Sequence, residues 1–401
     1  MATSAEPDLD LSGLDPAFDG VLRRSEGRCE YFQDRNKRWP FHCDEGGYRL
    51  LARLLRAATP VVAAVQAKIE ATCGSSSADV VAEGQRIYAR KPNMGEHDVT
   101  WSQIEYAHLG LQKEYIRYKS VQRLTEAWAC LQRARRAGVF DALDDTAPSP
   151  PPRLPLRVAS LGGGPGFELL AVRWFFERHY PRYDLDLVSL DLEESWRSAA
   201  EGLGIRFQTW DVRDGEGLER AAGGPIGYAL ASYVLKMYMA NETCARWMGG
   251  KLNDPSDPLA AVLVVSRDEN LDAATCVMRD VGGIDVWPLM ESALEPGGHR
   301  DDRQLAYVPR EKKRTGGSGA APHEPLTFPN VPYEEHKKKR GSGSHHGYQH
   351  GGPRGGRFKD GGGARDGGWF KDGGSRGGGQ WGNRRGGGGG GGGERDRGSR
   401  W

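Results

Sequence analysis

Two rhythms of apolar residues divide the chain. Across residues 47–71 Leu, Ala and Val recur at helical spacing, with Pro60 predicting a break between two helices. Ile104, His108, Leu111, Tyr115, Tyr118, Val121, Leu124, Trp128 and Leu131 then follow at steps of three or four, which predicts one helix of about 28 residues with a single apolar stripe. Residues 144–155 interrupt this with five prolines, and beyond them the rhythm changes. Apolar runs at 156–161, 185–190, 205–210, 228–235 and 260–266 read as strands, separated by helical patterns at 168–178 and 195–202. The runs are apolar on both faces, as in parallel strands covered by helices on each side. Two last runs, 284–290 and 303–309, have no helical pattern between them and are expected to pair antiparallel.

These patterns give five segments: a disordered acidic N-terminus (1–20), a helical region (21–143), a Pro-rich linker (144–155), an α/β domain (156–310) and a disordered basic tail (311–401). Composition sharpens the last of them. Residues 337–401 hold 27 glycines in 65 positions and hardly an aliphatic side chain, too little apolar surface to offset the entropy of ordering. That tail carries a net charge of +10 and the other 336 residues −9, so a basic arm is joined to an acidic body. The six cysteines form no CxxC pair, which fits a reducing compartment. With no signal-peptide pattern and no 18-residue apolar run, a soluble intracellular protein without a membrane partner is expected.

Candidate chemistry begins at the first turn of the α/β region. "SLGGGPGFE" places Gly162, Gly164 and Gly166 between a strand and a helix, where glycine lets backbone approach a ligand and helix N–H groups face negative charge. GxxxxGK[ST] is absent, and GxGxxG fails because its sixth position is Phe167. The remaining pattern, GxGxG, resembles motif I of the class I S-adenosylmethionine-dependent methyltransferases over residues 156–310. The resemblance implies a Rossmann-like seven-stranded sheet with an antiparallel last strand, and S-adenosyl-L-methionine as cofactor. Asp191, ending the second strand, would bind the ribose hydroxyls, and Asp211, ending the third, would meet the adenine amino group with Trp210 or Val212 near the ring. Where the family commonly has an acid two residues before the first glycine, this chain has Ser160, for which Glu168 would compensate.

The acceptor side should follow the fourth strand, in "SYVLKMYMANE". No Asn/Asp-Pro-Pro-Tyr/Phe segment stands there, which disfavours methylation of exocyclic base amines. Ser232, Tyr233 and Lys236 are the candidate pocket residues, and no catalytic base is identified. Thr275–Cys276 superficially resembles the Thr-Cys pair of 5-methylcytosine enzymes but falls beyond the fifth strand, inside a predicted helix. Cys29, His42 and Cys43 match no closed four-ligand spacing, so no metal is expected. Tyr115 and Tyr118 are read as packing residues.

The tail supplies the substrate clue. Arg-Gly-Gly occurs at Arg354, Arg376 and Arg385, the last preceded by Arg384, with Phe358, Phe370, Trp369 and Trp381 interspersed. This resembles the RGG boxes of RNA-binding proteins, in which arginine meets phosphate and aromatics stack on bases. Basic clusters at 311–314 and 336–340 point to the nucleus, nucleolus included, with the cytoplasm as the alternative. The favoured reading is a methyltransferase acting on ribosomal or other structured RNA, held through the tail. Methylation of a protein in a ribonucleoprotein, and a catalytically degenerate scaffold of the same fold, stay open.

Overall fold

The computed structural model describes residues 22–25, 28–32, 40–43, 45–90, 101–143, 154–234, 238–266, 271–290, 303–312 and 327–328, all within the first of two units, Met1–Ser344 and His345–Trp401. The chain opens with strands β1 (Leu22–Ser25), β2 (Arg28–Phe32) and β3 (Pro40–Cys43), then helices α1 (Glu45–Cys73), α2 (Ser77–Ala89), the single turn α3 (Gln103–Tyr106) and α4 (Leu109–Arg136). The alternating region follows as β4 (Leu154–Leu161), α5 (Phe167–His179), β5 (Tyr183–Asp191), α6 (Arg197–Gly202), β6 (Arg206–Thr209), α7 (Leu218–Ala222), β7 (Tyr228–Ser232), α8 (Glu242–Asn253), β8 (Ala261–Ser266), α9 (Leu271–Asp280), β9 (Asp285–Met290) and β10 (Arg303–Val308). A last strand, β11 (Thr327–Phe328), lies beyond it.

The expected sheet forms. Its seven strands run in the order β6-β5-β4-β7-β8-β10-β9, with β10 antiparallel to both β8 and β9 and the other neighbours parallel. This is the class I methyltransferase fold. Residues alternate between two cores: Val158, Leu187, Leu230 and Leu263 face one side with α1, α4 and α5, while Ala159, Val188, Ala231 and Val264 face the other with α8. Register sets the functional edge. Ser160 pairs with Ser189 and with Leu230, and Asp191 pairs with Thr209, so Gly162, Asp191, Ser232 and Trp210 come level where four parallel strands end.

Several sequence expectations are corrected. Residues 21–143 are not purely helical, since β1, β2 and β3 pair with β11 in a second, four-stranded sheet. Pro60 does not break α1. It is exposed, the Thr59 hydroxyl bonds the Leu55 carbonyl at 2.8 Å, and the apolar side (Leu51, Leu54, Leu55, Ala58, Val61, Val62, Val65, Ile69) stays buried through it. Among the described residues 46–89 is the one helical stretch long and apolar enough to cross a membrane, and that apolar side packs in the α4 core. The long stripe also starts later than its rhythm implies. A capping box between Ser102 and Glu105 begins the separate turn α3, His108 caps α4 through Nδ1 to Leu111 N at 3.3 Å, and Ile104 is left 86% exposed. Finally, the span expected as tail contributes β11, parallel to β3, and Lys312, whose ammonium donates to the Val139 carbonyl at 2.6 Å. Burial lowers the pKa of that lysine.

Candidate active site

The glycine loop closes β4 onto α5 by three left-handed residues in alternation: Gly162 (φ 66°), Gly164 (φ 50°) and Gly166 (φ 81°). Any side chain there would be strained, which is the backbone reason for GxGxG. Gly163 between them is fixed by space, because a Cβ would come within 2.4 Å of Ser160 Oγ. Beneath the loop Ser160 and Glu168 are buried, and the Ser160 hydroxyl donates to Glu168 Oε1 at 2.5 Å. Burial raises the Glu168 pKa, against the charge of Arg123 and the Ser160 bond. A carboxyl group from α5 thus lies beneath the loop, bonded to Ser160 at the end of β4.

The end of β5 is tied to the same loop. Asp191 accepts from Gly164 N at 2.8 Å and from Glu193 N at 2.9 Å, one bond to each carboxylate oxygen. Its burial raises the pKa, with those backbone donors opposing. Ser189 Oγ donates to the Gly164 carbonyl at 2.8 Å, so loop and strand are bound twice. Trp196 lies against Gly164. Past β6, Trp210 is buried, while the Asp211 carboxylate is held by Arg213 at 2.5 Å, whose hydrogen bonds keep its pKa low.

These residues enclose a cavity of about 520 Å³ whose far wall comes from the N-terminal helices: Gln103 and Tyr106 of α3, Tyr115 and Arg123 of α4. Opposite them, just past β7, Tyr233 is the single described non-glycine residue at positive φ (62°). Its hydroxyl donates to Glu126 Oε2 at 2.7 Å and accepts from Gln122 Nε2 at 3.1 Å, and Arg123 lies over its ring at 3.9 Å. The network continues from Lys119 Nζ to Gln122 Oε1 (2.6 Å), from Gln304 Nε2 of β10 to the Glu126 carbonyl (3.2 Å), and from Arg133 Nη1 to Gln304 Oε1 (2.7 Å). A strained backbone held by a fully bonded phenol is a pre-set wall.

The structure thus brings Gly162, Gly164, Asp191, Asp211, Ser232 and Tyr233 to one cavity. Ser160 and Gly166 are not on its wall: one braces Glu168, and the other starts α5 against Ile205. Lys236 and the tail arginines Arg354, Arg376, Arg384 and Arg385 lie outside the described residues. Cys276 is exposed on α9, away from the cavity. Tyr118 packs on Tyr88, as read, whereas Tyr115 packs on Trp196 and also faces the cavity. Arg123, Trp196 and Asn241 were not anticipated. The available signal was a second stripe on α4, polar Lys119, Gln122, Arg123 and Glu126 at helical spacing within a buried helix.

No protein-family model matches the chain, and neither does any curated protein. Solved structures do. The methyltransferase domain of a citrinin polyketide synthase is 14% identical over 39% of this chain and 47% of its own, with a TM-score of 0.29. The DszA carbon methyltransferase is 13% identical over 44% and 52% at 0.30, and an O-methyltransferase family protein from Burkholderia thailandensis 17% identical over 60% and 75% at 0.36. The chain spans about half the length of the first two.

Proposed function

We propose that this chain is an S-adenosyl-L-methionine-dependent methyltransferase acting on RNA, with its C-terminal arm supplying RNA affinity in the nucleus. The observation that carries the methyltransferase reading is the joining of the left-handed glycine loop to Asp191 at the cavity edge. Each Asp191 oxygen accepts one backbone bond and keeps a lone pair, the donor set a vicinal diol needs, and Trp196 and Trp210 offer ring faces beside it. The residues therefore fit a nucleoside ligand. S-adenosylmethionine supplies a methyl group on a sulfonium, ready for in-line displacement. What the chain contributes is placement: the wall formed by Ser232, Tyr233 and α4 excludes water and fixes the approach of an acceptor. Glu126 and Gln122, both bonded to the Tyr233 hydroxyl, hold that wall in place.

RNA as acceptor is supported by the +10 charge and three Arg-Gly-Gly repeats of residues 337–401 against a body of −9. Such an arm holds RNA near the cavity at high effective concentration. The test is transfer of labelled methyl from the cofactor to total RNA and total protein, with and without RNase, by the full chain and by a chain ending at residue 336. Label in RNA that disappears on RNase treatment and falls strongly on truncation is expected. Label in protein that resists RNase would overturn the RNA reading in favour of a protein acceptor.

A further inference from the structure

Among the described residues, four charged side chains line the cavity. Asp211 and Arg213 neutralise each other at 2.5 Å, and Asp191 is served by two backbone N–H groups. Arg123 is left over. Its Nε and Nη2 reach the Tyr115 hydroxyl at 3.4 Å each, its guanidinium lies on the Tyr233 ring, and its Nη1 is enclosed with no acceptor among the described residues. Burial works against its charge, while Tyr115, Tyr233, Glu168 and Glu126 raise its pKa through their charges; neither glutamate is bonded to it. Guanidinium does not shed its proton in a protein, so an enclosed one requires an anion, and its planar fork matches a carboxylate.

We infer that Arg123 receives the carboxylate at the amino-acid end of S-adenosylmethionine, which makes α4 part of the cofactor site. The inference rests on the methyltransferase reading above. A ligand with a diol at one end and a carboxylate at the other satisfies Asp191 and Arg123 together. A singly charged group also suits the site better than a phosphate dianion, because Asp191, Asp211 and the buried Glu168 are all close to the loop that forms its floor.

The experiment is calorimetric titration of the full chain with S-adenosylhomocysteine and with its decarboxylated analogue, which keeps nucleoside, thioether and amine. The unaltered chain should prefer the carboxylated ligand by about 10- to 100-fold. Arg123→Met should bring the two ligands within about threefold of each other while leaving the decarboxylated one near its original affinity. Arg123→Lys, which keeps the charge and loses the fork, should retain part of the preference. Asp191→Ala should weaken both ligands alike. The inference fails if the unaltered chain shows no preference, or if Arg123→Met weakens both ligands equally, as loss of a clamp on Tyr233 would. Binding of neither ligand by the unaltered chain would instead remove the cofactor reading itself.

Discussion

α4 and α8 cover opposite faces of one sheet and are built on opposite plans. α8 buries Cys244, Ala245, Met248, Gly249 and Leu252, one apolar stripe, and leaves an exposed Arg246–Glu242 pair at 3.0 Å on its outer side. Asn241 caps it through a bond from Cys244 N at 2.9 Å. α4 is buried on nearly every side, and the buried set includes Gln112, Lys113, Glu114, Lys119, Gln122, Glu126 and Arg133 beside Leu124 and Trp128. Burying polar groups is costly unless they are bonded, and on α4 they largely bond one another, Tyr233 and Gln304. The difference teaches how each helix meets the cavity. The body of α8 packs as a core and reaches the cavity at its cap, Asn241, whereas α4 is a core helix that also walls the cavity with Tyr115 and Arg123.

The largest expected effects test the cores. Trp128 is fully buried and meets Phe175 edge-on at 5.9 Å, so Trp128→Ala should cost about 3–5 kcal/mol of unfolding free energy by urea titration. Met248→Ala on the other face should cost about 2–5 kcal/mol. Only the first should also weaken cofactor binding. If Met248→Ala weakened it as much, the functional asymmetry of the two faces would be lost.

Next is Asp191→Ala, expected to weaken S-adenosylmethionine binding by about 1.5–3 kcal/mol, the scale of hydrogen bonds to a charged group. Stability should not fall in parallel, because burial already raises the pKa of that carboxyl and its removal relieves a desolvated charge. Calorimetry alongside urea unfolding separates the two. A variant that bound as tightly as the original would move the ribose end away from β5.

Much of this was legible in the residues, and the failures have physical causes. The sheet was readable because each strand is a short apolar run bounded by turn residues, and Asp191 because it ends one of them. Asp211 was placed at a strand end by the same logic, but its capture by Arg213, two residues on, is a side-chain event that spacing does not reveal. Ile104 kept the rhythm of α4 without belonging to it, since the Ser102–Glu105 capping box overrides periodicity. Pro60 misled because an exposed proline can lose its backbone bond while the buried side of the helix continues. The place of Arg123 at the cavity was hidden for a different reason: it and Tyr233 are 110 residues apart in sequence, and only packing brings them together.

Tyr233→Phe sharpens the comparison at the junction itself. It removes the donor to Glu126 Oε2 and the acceptor of Gln122 Nε2, leaving a buried carboxylate short of one bond. About 1–3 kcal/mol of stability should be lost. The ring and its stack with Arg123 remain, so cofactor affinity should change by less than about threefold. Unchanged stability would mean that the α4 network is not carried by the phenol.

The smallest effect is a pH dependence confined to the α4 face. His179 ends α5 with its ring 4.7 Å from that of Phe175 and its Nε2 3.4 Å from Gln132 Nε2 of α4. Burial lowers its pKa, with the charges of Arg135 and Arg178 adding to the fall, from 6.5 to about 4. Between those values the unfolded chain binds a proton that the folded one does not, so this contribution is complete above pH 6.5 and is lost as the pH falls towards 4. His179 is half-buried, and after allowing for solvent screening the loss should be about 1 kcal/mol. His179→Gln removes the titration while keeping a polar partner for Gln132. Urea unfolding of both chains at pH 7 and at pH 4.5 should therefore show the original losing more stability on acidification than the variant, since the remaining groups cancel in the difference. Equal losses would place the histidine in water and leave the α4 face without a titrating contact at α5.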